Sequence, residues 1–312
     1  MQKRKLGKSG IEVNPLGLGC MRLGAACNML GGGSLDFGAP DEKVAIKLLN
    51  KAVDSGIDLF DTAIAYGAGD NEKLLGKVFS GMRDKVIIVS KFGFMIDETS
   101  NTFLFNSATP SRYRKGCVFP DMIKWQCEQS LRRLNTDYID SYLCHINMAD
   151  NGEEMIEALE DLVKEGKIRS YGWSTDIAES ADVMSKGPHC NMMELELSVI
   201  RPQNEVLHVC ENNDLTALIR SPLAGGGLFG KETPATKRAG EKVDIEAIKE
   251  ILASEGRTVV QGALAWVWAK SETAIPIPGF RSMEQLDGLL GALEYGALSN
   301  EQMKEIEGIY KI

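Results

Sequence analysis

Hydrophobic and polar positions along this chain follow two periods in turn. Short apolar runs, rich in β-branched residues and bounded by Gly, Asp, Asn or Pro, read as strands. They are "GIDLFD" (56–61), "DKVIIVSKF" (84–92), "YIDSYLCH" (138–145), "IRSYGWS" (168–174), "MMELEL" (192–197), "LTALI" (215–219) and "TAIPIPG" (273–279). With "NPLGLGC" (14–20) at the head of the series there are eight. Between them the apolar spacing changes to i, i+4. In "DEKVAIKLLNKAVDSG" the rows Val44–Leu48–Ala52 and Ala45–Leu49–Val53 make one helical stripe that stops at Gly56. Met155, Ile156, Leu159, Leu162 and Val163 do the same in "GEEMIEALEDLVKEGK", before Gly166. Ser282 with Gln285, and Ser299 with Gln302, have the spacing of capping boxes that start the last helices. Ahead of the series, residues 3–19 predict a β-hairpin about the turn "GKSG".

Eight strands, each followed by helix and with no Pro/Gly/Ser-rich linker, predict an α/β fold: a (β/α)8 TIM barrel formed as a single domain over 1–312. A doubly wound open sheet is the competing architecture. Two connections exceed what joining needs, residues 20–40 and 93–119. Loops of that length without structure of their own are uncommon unless they act as lids or binding loops, so both are expected at the catalytic rim.

Composition narrows the function. A net charge of −9 argues against a nucleic-acid partner, which would need clustered Lys and Arg. Seven cysteines, scattered and without a C-x-x-C pair, suit reduced thiols in the cytoplasm and not a disulfide framework. The basic start lacks the apolar segment of a signal peptide, and "VVQGALAWVWA" is too short to cross a bilayer. No membrane partner and no metal site are expected.

"SPLAGGGLFG" (221–230) matches the dinucleotide fingerprint literally, through Gly225, Gly227 and Gly230, with Asp244 at the expected distance. The match fails in context. The loop follows the seventh strand, not the first, and "KETPATKRAGEK" separates it from the next helix. A backbone free of side chains can still approach a pyrophosphate and aim N–H groups at it.

Barrel enzymes collect their chemistry at the C-terminal ends of the strands. Those positions hold Asp61 with Tyr66 five residues on, Lys91, His145, Ser174, Glu194, Arg220 and Ser221. A single Lys or Asp there is usually a solvated loop charge, and a His in "YLCHI" is more often a satisfied half-buried side chain. Complementary types on one rim make the stronger reading.

The segments "FDTAIAYG", "VSKFG" and "YLCH", in that order, resemble the signatures of the aldo-keto reductases, NAD(P)H-dependent carbonyl reductases on this barrel. The opening "RKLGKSGIEVNPLGLGCMRLG" is similar to the start of the family's microbial branch, in which the hairpin caps the barrel bottom. The resemblance runs from about residue 3 to 312. It implies a catalytic tetrad of Asp61, Tyr66, Lys91 and His145. Tyr66 would be the general acid, its pKa lowered by Lys91. Asp61 would hold Lys91, and neutral His145 would orient the substrate oxygen.

For the cofactor the resemblance implies Ser174 and Thr175 of "GWSTD", Glu194, and Arg220, Ser221, Leu223, Gly225 and Gly227 of the glycine loop. Gly279, Arg281 and Gln285 of "IPGFRSMEQ" complete the set. Thr175 replaces the family's usual Asn, Glu194 its usual Gln, and Arg220 an aromatic that stacks on the nicotinamide. Leu289 stands where an Asn is expected. Arg281 favours NADPH over NADH, because a guanidinium matches a 2′-phosphate. The expected activity is reduction of an aldehyde or ketone, or the reverse oxidation of an alcohol, on a small-molecule substrate. Two alternatives are a non-catalytic regulatory subunit, like the potassium-channel β-subunits on this barrel, and a lyase or hydrolase built on Asp61 and Lys91.

Overall fold

The computed structural model describes residues 1–104, 119–147, 151–232 and 243–310. Its strands are β1 (Arg4–Lys5), β2 (Glu12–Val13), β3 (Leu18–Gly19), β4 (Cys27–Met29), β5 (Ser34–Leu35), β6 (Leu59–Asp61) and β7 (Ile87–Phe92). They continue with β8 (Ile96–Asp97), β9 (Thr102–Phe103), β10 (Ile139–Cys144), β11 (Ile168–Ser174), β12 (Cys190–Glu196), β13 (Thr216–Arg220) and β14 (Ala274–Pro276). Eight of them form one parallel sheet in the order β3-β6-β7-β10-β11-β12-β13-β14. Helices α1 (Glu42–Asp54), α2 (Asp70–Phe79), α3 (Pro120–Leu134), α4 (Gly152–Lys164), α5 (Ala178–Ser185) and α6 (Glu205–Asn212) alternate with these strands. Helices α7 (Ile245–Leu252) and α8 (Val259–Lys270) precede β14, and α9 (Met283–Tyr295) and α10 (Asn300–Ile309) follow it.

The sheet closes on itself. Gly19 bridges to Gly279, and the amides of Gly17 and Gly19 donate to the carbonyls of Pro276 and Pro278 at 3.0 and 3.1 Å. A Cβ on Gly19 would lie 2.8 Å from the Ile277 carbonyl oxygen, so this seam needs a residue without a side chain. The expected barrel is therefore present, and the open sheet is not.

Two apolar layers hold it. Outside, the helix stripes pack on the sheet; Leu48, Leu49, Leu159 and Leu162 are all fully buried. Inside, Leu59, Val89, Leu143, Met192, Leu218, Ile275 and Ile277 fill the lumen. The hairpin β1–β2 plugs its bottom with Leu6 and Val13. Arg4 donates to the carbonyls of Ser271 at 2.7 Å and Trp268 at 3.0 Å, and Asn191 Nδ2 to that of Leu6 at 2.9 Å.

The long connections are not structureless. Strands β4 and β5 of the first pair with β8 and β9 of the second in one small four-stranded sheet, ordered β5-β4-β9-β8. Residues 105–118 of the second connection, with Phe105 and Tyr113, lie outside the described residues. The capping box expected at Ser282 is half formed. Ser282 Oγ accepts from the Gln285 amide, but Gln285 Oε1 accepts from the Arg281 amide. At Ser299 and Gln302 both halves form. Among the described residues, no helix is long and apolar enough to cross a membrane.

Candidate active site

Side chains alternate in and out along a strand, so a residue two places beyond an inward one also points inward, one layer higher. Two places beyond the lumen residues Leu59, Val89, Leu143, Met192 and Leu218 stand Asp61, Lys91, His145, Glu194 and Arg220. The layer above the apolar plug is thus a layer of ionisable groups at the C-terminal mouth.

Lys91 is its centre and is fully buried. Its Nζ donates to Asp61 Oδ1, to the Thr62 carbonyl at 3.0 Å and to the Tyr66 hydroxyl oxygen at 3.3 Å. Glu194 Oε2 lies 3.1 Å away on the other side. Four oxygens therefore compete for three N–H groups. Burial opposes the charge on Lys91, but the Asp61 and Glu194 carboxylates prevail and hold its pKa above the ordinary lysine value. Burial, then Glu194, raises Asp61 well above the usual carboxylate range despite Lys91.

The expected sign at Tyr66 is reversed. Lys91 does pull the phenol pKa down, but burial outweighs it, and Asp61 and Glu194 add to the rise. The net position is above 10, so the phenol is fully protonated near neutrality. The pull of Lys91 has the expected sign; what the sequence does not show is the depth at which the phenol is buried.

Tyr66 is held by an unusual turn. Gly67, Ala68 and Gly69 are all left-handed, at φ 61°, 50° and 91°. A Cβ on Gly67 would lie 2.8 Å from the Ala25 carbonyl oxygen, so the turn packs tightly against the first long connection. Ala68 carries backbone strain of order 1 kcal/mol. Buried Asn71 ties the turn down, accepting from Thr62 Oγ1 at 2.6 Å and donating to the Cys20 carbonyl at 2.9 Å.

His145 stands edge-on to Tyr66, with ring centroids 5.9 Å apart. Its amide donates to the Phe92 carbonyl at 2.8 Å, while its buried Nδ1 has no protein partner. Burial, with the positive charges of Lys91 and Arg220, keeps its pKa well below 6.5 and the ring neutral. Phe94 covers its other side at 4.9 Å and meets Phe103 at 5.3 Å, so the small sheet walls the mouth with aromatics. Phe92, the last residue of β7 before this wall, points instead into the core against Tyr142.

The groups expected to hold a dinucleotide are placed as follows. Ser174 donates to Glu194 Oε1 at 3.2 Å. Thr175 is buried and committed to the loop, its hydroxyl donating to the Asn147 carbonyl at 2.7 Å and accepting from the Ile177 amide at 3.0 Å. Arg220 is ion-paired with Asp176 and, at 3.5 Å, with Glu196, which Arg201 also binds at 2.6 Å. Any stacking by Arg220 must compete with that network. In the glycine loop Ser221, Ala224, Gly225 and Gly226 are left-handed, Gly225 is exposed, and Leu223 and Gly227 pack toward the protein.

Gly279, Arg281 and Gln285 are exposed at the N-terminal end of α9, with Leu289 buried one turn below them. The Arg281 guanidinium lies over Gly38, 2.5 Å from where a Cβ would stand. Arg22 runs past Gly279, its Cδ 3.4 Å from that residue's Cβ position. Sequence reasoning passed over Arg22, since nothing local links residue 22 to residue 279. A glycine cradle, two guanidinium groups and a helix N-terminus fit an anionic dinucleotide. The neutral His145 ring sits at the other end, edge-on to Tyr66.

The comparisons accord with this geometry. A family model described as "Aldo/keto reductase family" matches residues 15–311. The chain belongs to the aldo/keto reductase family. A probable aldo-keto reductase of Glycine max is 30% identical over 327 aligned residues, covering 98% of this chain and 88% of that protein. An aldo-keto reductase of Bacillus subtilis is 29% identical, over 99% of this chain and 93% of its own length. Among solved structures, the holo form of an aldo-keto reductase from Bacillus halodurans superposes with a TM-score of 0.78 at 27% identity, covering 100% and 97% of the two chains. An aldo/keto reductase from Klebsiella pneumoniae, solved in complex with NADP and acetate, gives 0.73 at 26%, covering 99% and 96%. This aldo/keto reductase thus has the family's barrel, and its ionisable layer lies at the barrel mouth.

Proposed function

We propose that this chain is an NADPH-dependent carbonyl reductase that reduces an aldehyde or ketone to an alcohol and runs the reverse oxidation. The observation that carries the proposal is the contact of Lys91 Nζ with both Asp61 and the Tyr66 hydroxyl, at 3.3 Å from the latter, in a buried layer open to the mouth. A nicotinamide dinucleotide bound along the glycine loop would supply or accept the hydride. Reduction leaves negative charge on the substrate oxygen, which needs a proton. Tyr66 holds that proton, and its raised pKa keeps it in place until the alkoxide forms. Lys91 donates to the phenol oxygen and stabilises the charge left there. Asp61 fixes the ammonium. Neutral His145, edge-on to Tyr66, would hydrogen-bond the carbonyl oxygen and align it.

Arg281 and Arg22 support NADPH over NADH as the partner, because a 2′-phosphate needs a cation. One similar structure of an aldo/keto reductase from Klebsiella pneumoniae holds NADP and acetate, and another from that organism holds NADPH. All six described cysteines are free and buried, which suits the reducing cytoplasm.

The test is Tyr66→Phe. NADPH affinity, followed by quenching of protein fluorescence, should stay within about twofold, while turnover on a carbonyl panel drops roughly 10²–10⁴-fold. A Phe variant that reduces carbonyls at the wild-type rate would remove Tyr66 from this role.

A further inference from the structure

Lys91 has two buried carboxylate neighbours where a single ion pair would satisfy it. Asp61 is 3% exposed and Glu194 is 2% exposed, so water screens neither. The charges do not cancel: one ammonium faces two carboxyl groups, leaving either a net negative charge or a proton on Asp61, which burial and then Glu194 favour. The other charged or titratable neighbours do not correct this. Tyr66 is a neutral phenol, and His145 across the mouth is neutral. Arg220, at the top of adjacent β13, is turned toward Asp176 and Glu196. Ser174 only donates a hydrogen bond to Glu194.

We infer that Glu194 makes this site select the oxidised, cationic form of the nicotinamide dinucleotide over the reduced, neutral form. The inference rests on the function proposed above. Hydride transfer requires the nicotinamide ring within contact distance of a substrate carbon whose oxygen reaches Tyr66, so the ring lies beside the Lys91 cluster. The oxidised ring carries a positive charge and the reduced ring none. An unscreened carboxylate in that cluster therefore attracts one form and is indifferent to the other. Where Asp61 holds a proton, the incoming cation favours its release, and oxidised-form binding then strengthens as pH rises.

Direct binding tests this without turnover. Dissociation constants for NADP+, NADPH and 2′-phospho-ADP-ribose, which lacks the nicotinamide, are measured by fluorescence quenching or calorimetry. The proteins compared are wild type, Glu194→Gln and Glu194→Asp. Wild type should favour NADP+ over NADPH, and Glu194→Gln should lower that ratio roughly tenfold, as expected for removing one weakly screened charge near the ring. Glu194→Asp should keep the ratio within about threefold, and the nicotinamide-free fragment should bind all three proteins alike.

An unchanged ratio in Glu194→Gln overturns the inference. If that variant does not fold, wild type decides alone: NADP+ binding no tighter than NADPH overturns it. Failure of wild type to bind any of the three probes would instead defeat the proposed function, and this inference with it.

Discussion

At the scale of single residues, the site is a contest of charges, and the sequence shows its members better than its outcome. Asp61, Tyr66, Lys91, His145 and Glu194 were all legible, because strand ends at a barrel mouth are where chemistry collects. The sign of the Tyr66 shift was not, since it depends first on how completely the closed fold buries the phenol. The positions of Arg281 and Arg22 were half legible for the same reason. Arg281 is marked by its helix N-terminus, whereas Arg22 reaches Gly279 only through the closed fold. The exposed guanidinium of Arg281 is proposed to bind the 2′-phosphate of NADPH. Arg281→Ala should therefore weaken NADPH binding by roughly tenfold to a few hundredfold and scarcely touch NADH. Equal losses for both cofactors, seen in parallel titrations, would show that Arg281 does not read that phosphate.

At the scale of elements, short apolar runs locate the barrel strands to within a few residues, and Ile168–Ser174 falls on the expected bounds. The apparent fingerprint acid Asp244 proves to be the N-cap of α7, accepting from the Ala247 amide at 3.1 Å. What stayed hidden was the small sheet over the mouth. Its strands are two or three residues long, too short to show a period, and they pair across two separate connections. Its base is anchored by buried groups. Gln126 accepts from the Gly93 amide at 2.8 Å and donates to the Phe94 carbonyl at 2.7 Å. Arg133 joins Glu72 to Glu98, both at 2.7 Å. Phe94 is thus a positioned wall against His145. Phe94→Ala should raise KM for ring-bearing carbonyls roughly two- to tenfold, the worth of an aromatic pair, and leave NADPH affinity unchanged. A substrate profile identical to wild type across the panel would exclude this wall from recognition.

At the scale of the whole molecule, the barrel divides its labour between its ends. The mouth holds strained turns, buried charge and unpartnered polar atoms, while the bottom is an apolar plug. Leu6, 1% exposed, sits in that plug. Leu6→Ala should cost about 2–5 kcal/mol in denaturant unfolding, as large-to-small changes in a packed core do. NADPH affinity measured on the folded variant should match wild type. Loss of cofactor binding without loss of stability would contradict the separation.

The glycine seam between β3 and β14 has a consequence in time. It joins residues 17–19 to 276–279, so the first barrel strand made must wait for the last before the ring can close. Until then the growing chain carries an open sheet with two bare edges, each able to pair with another chain. At the usual pace of synthesis, of order 5–20 residues per second, that interval lasts many seconds. The hairpin shares the wait, because Arg4 finds its carbonyl partners at Trp268 and Ser271. A ribosome-bound chain of this protein thus keeps both edges bare until residues 276–279 can reach residues 17–19.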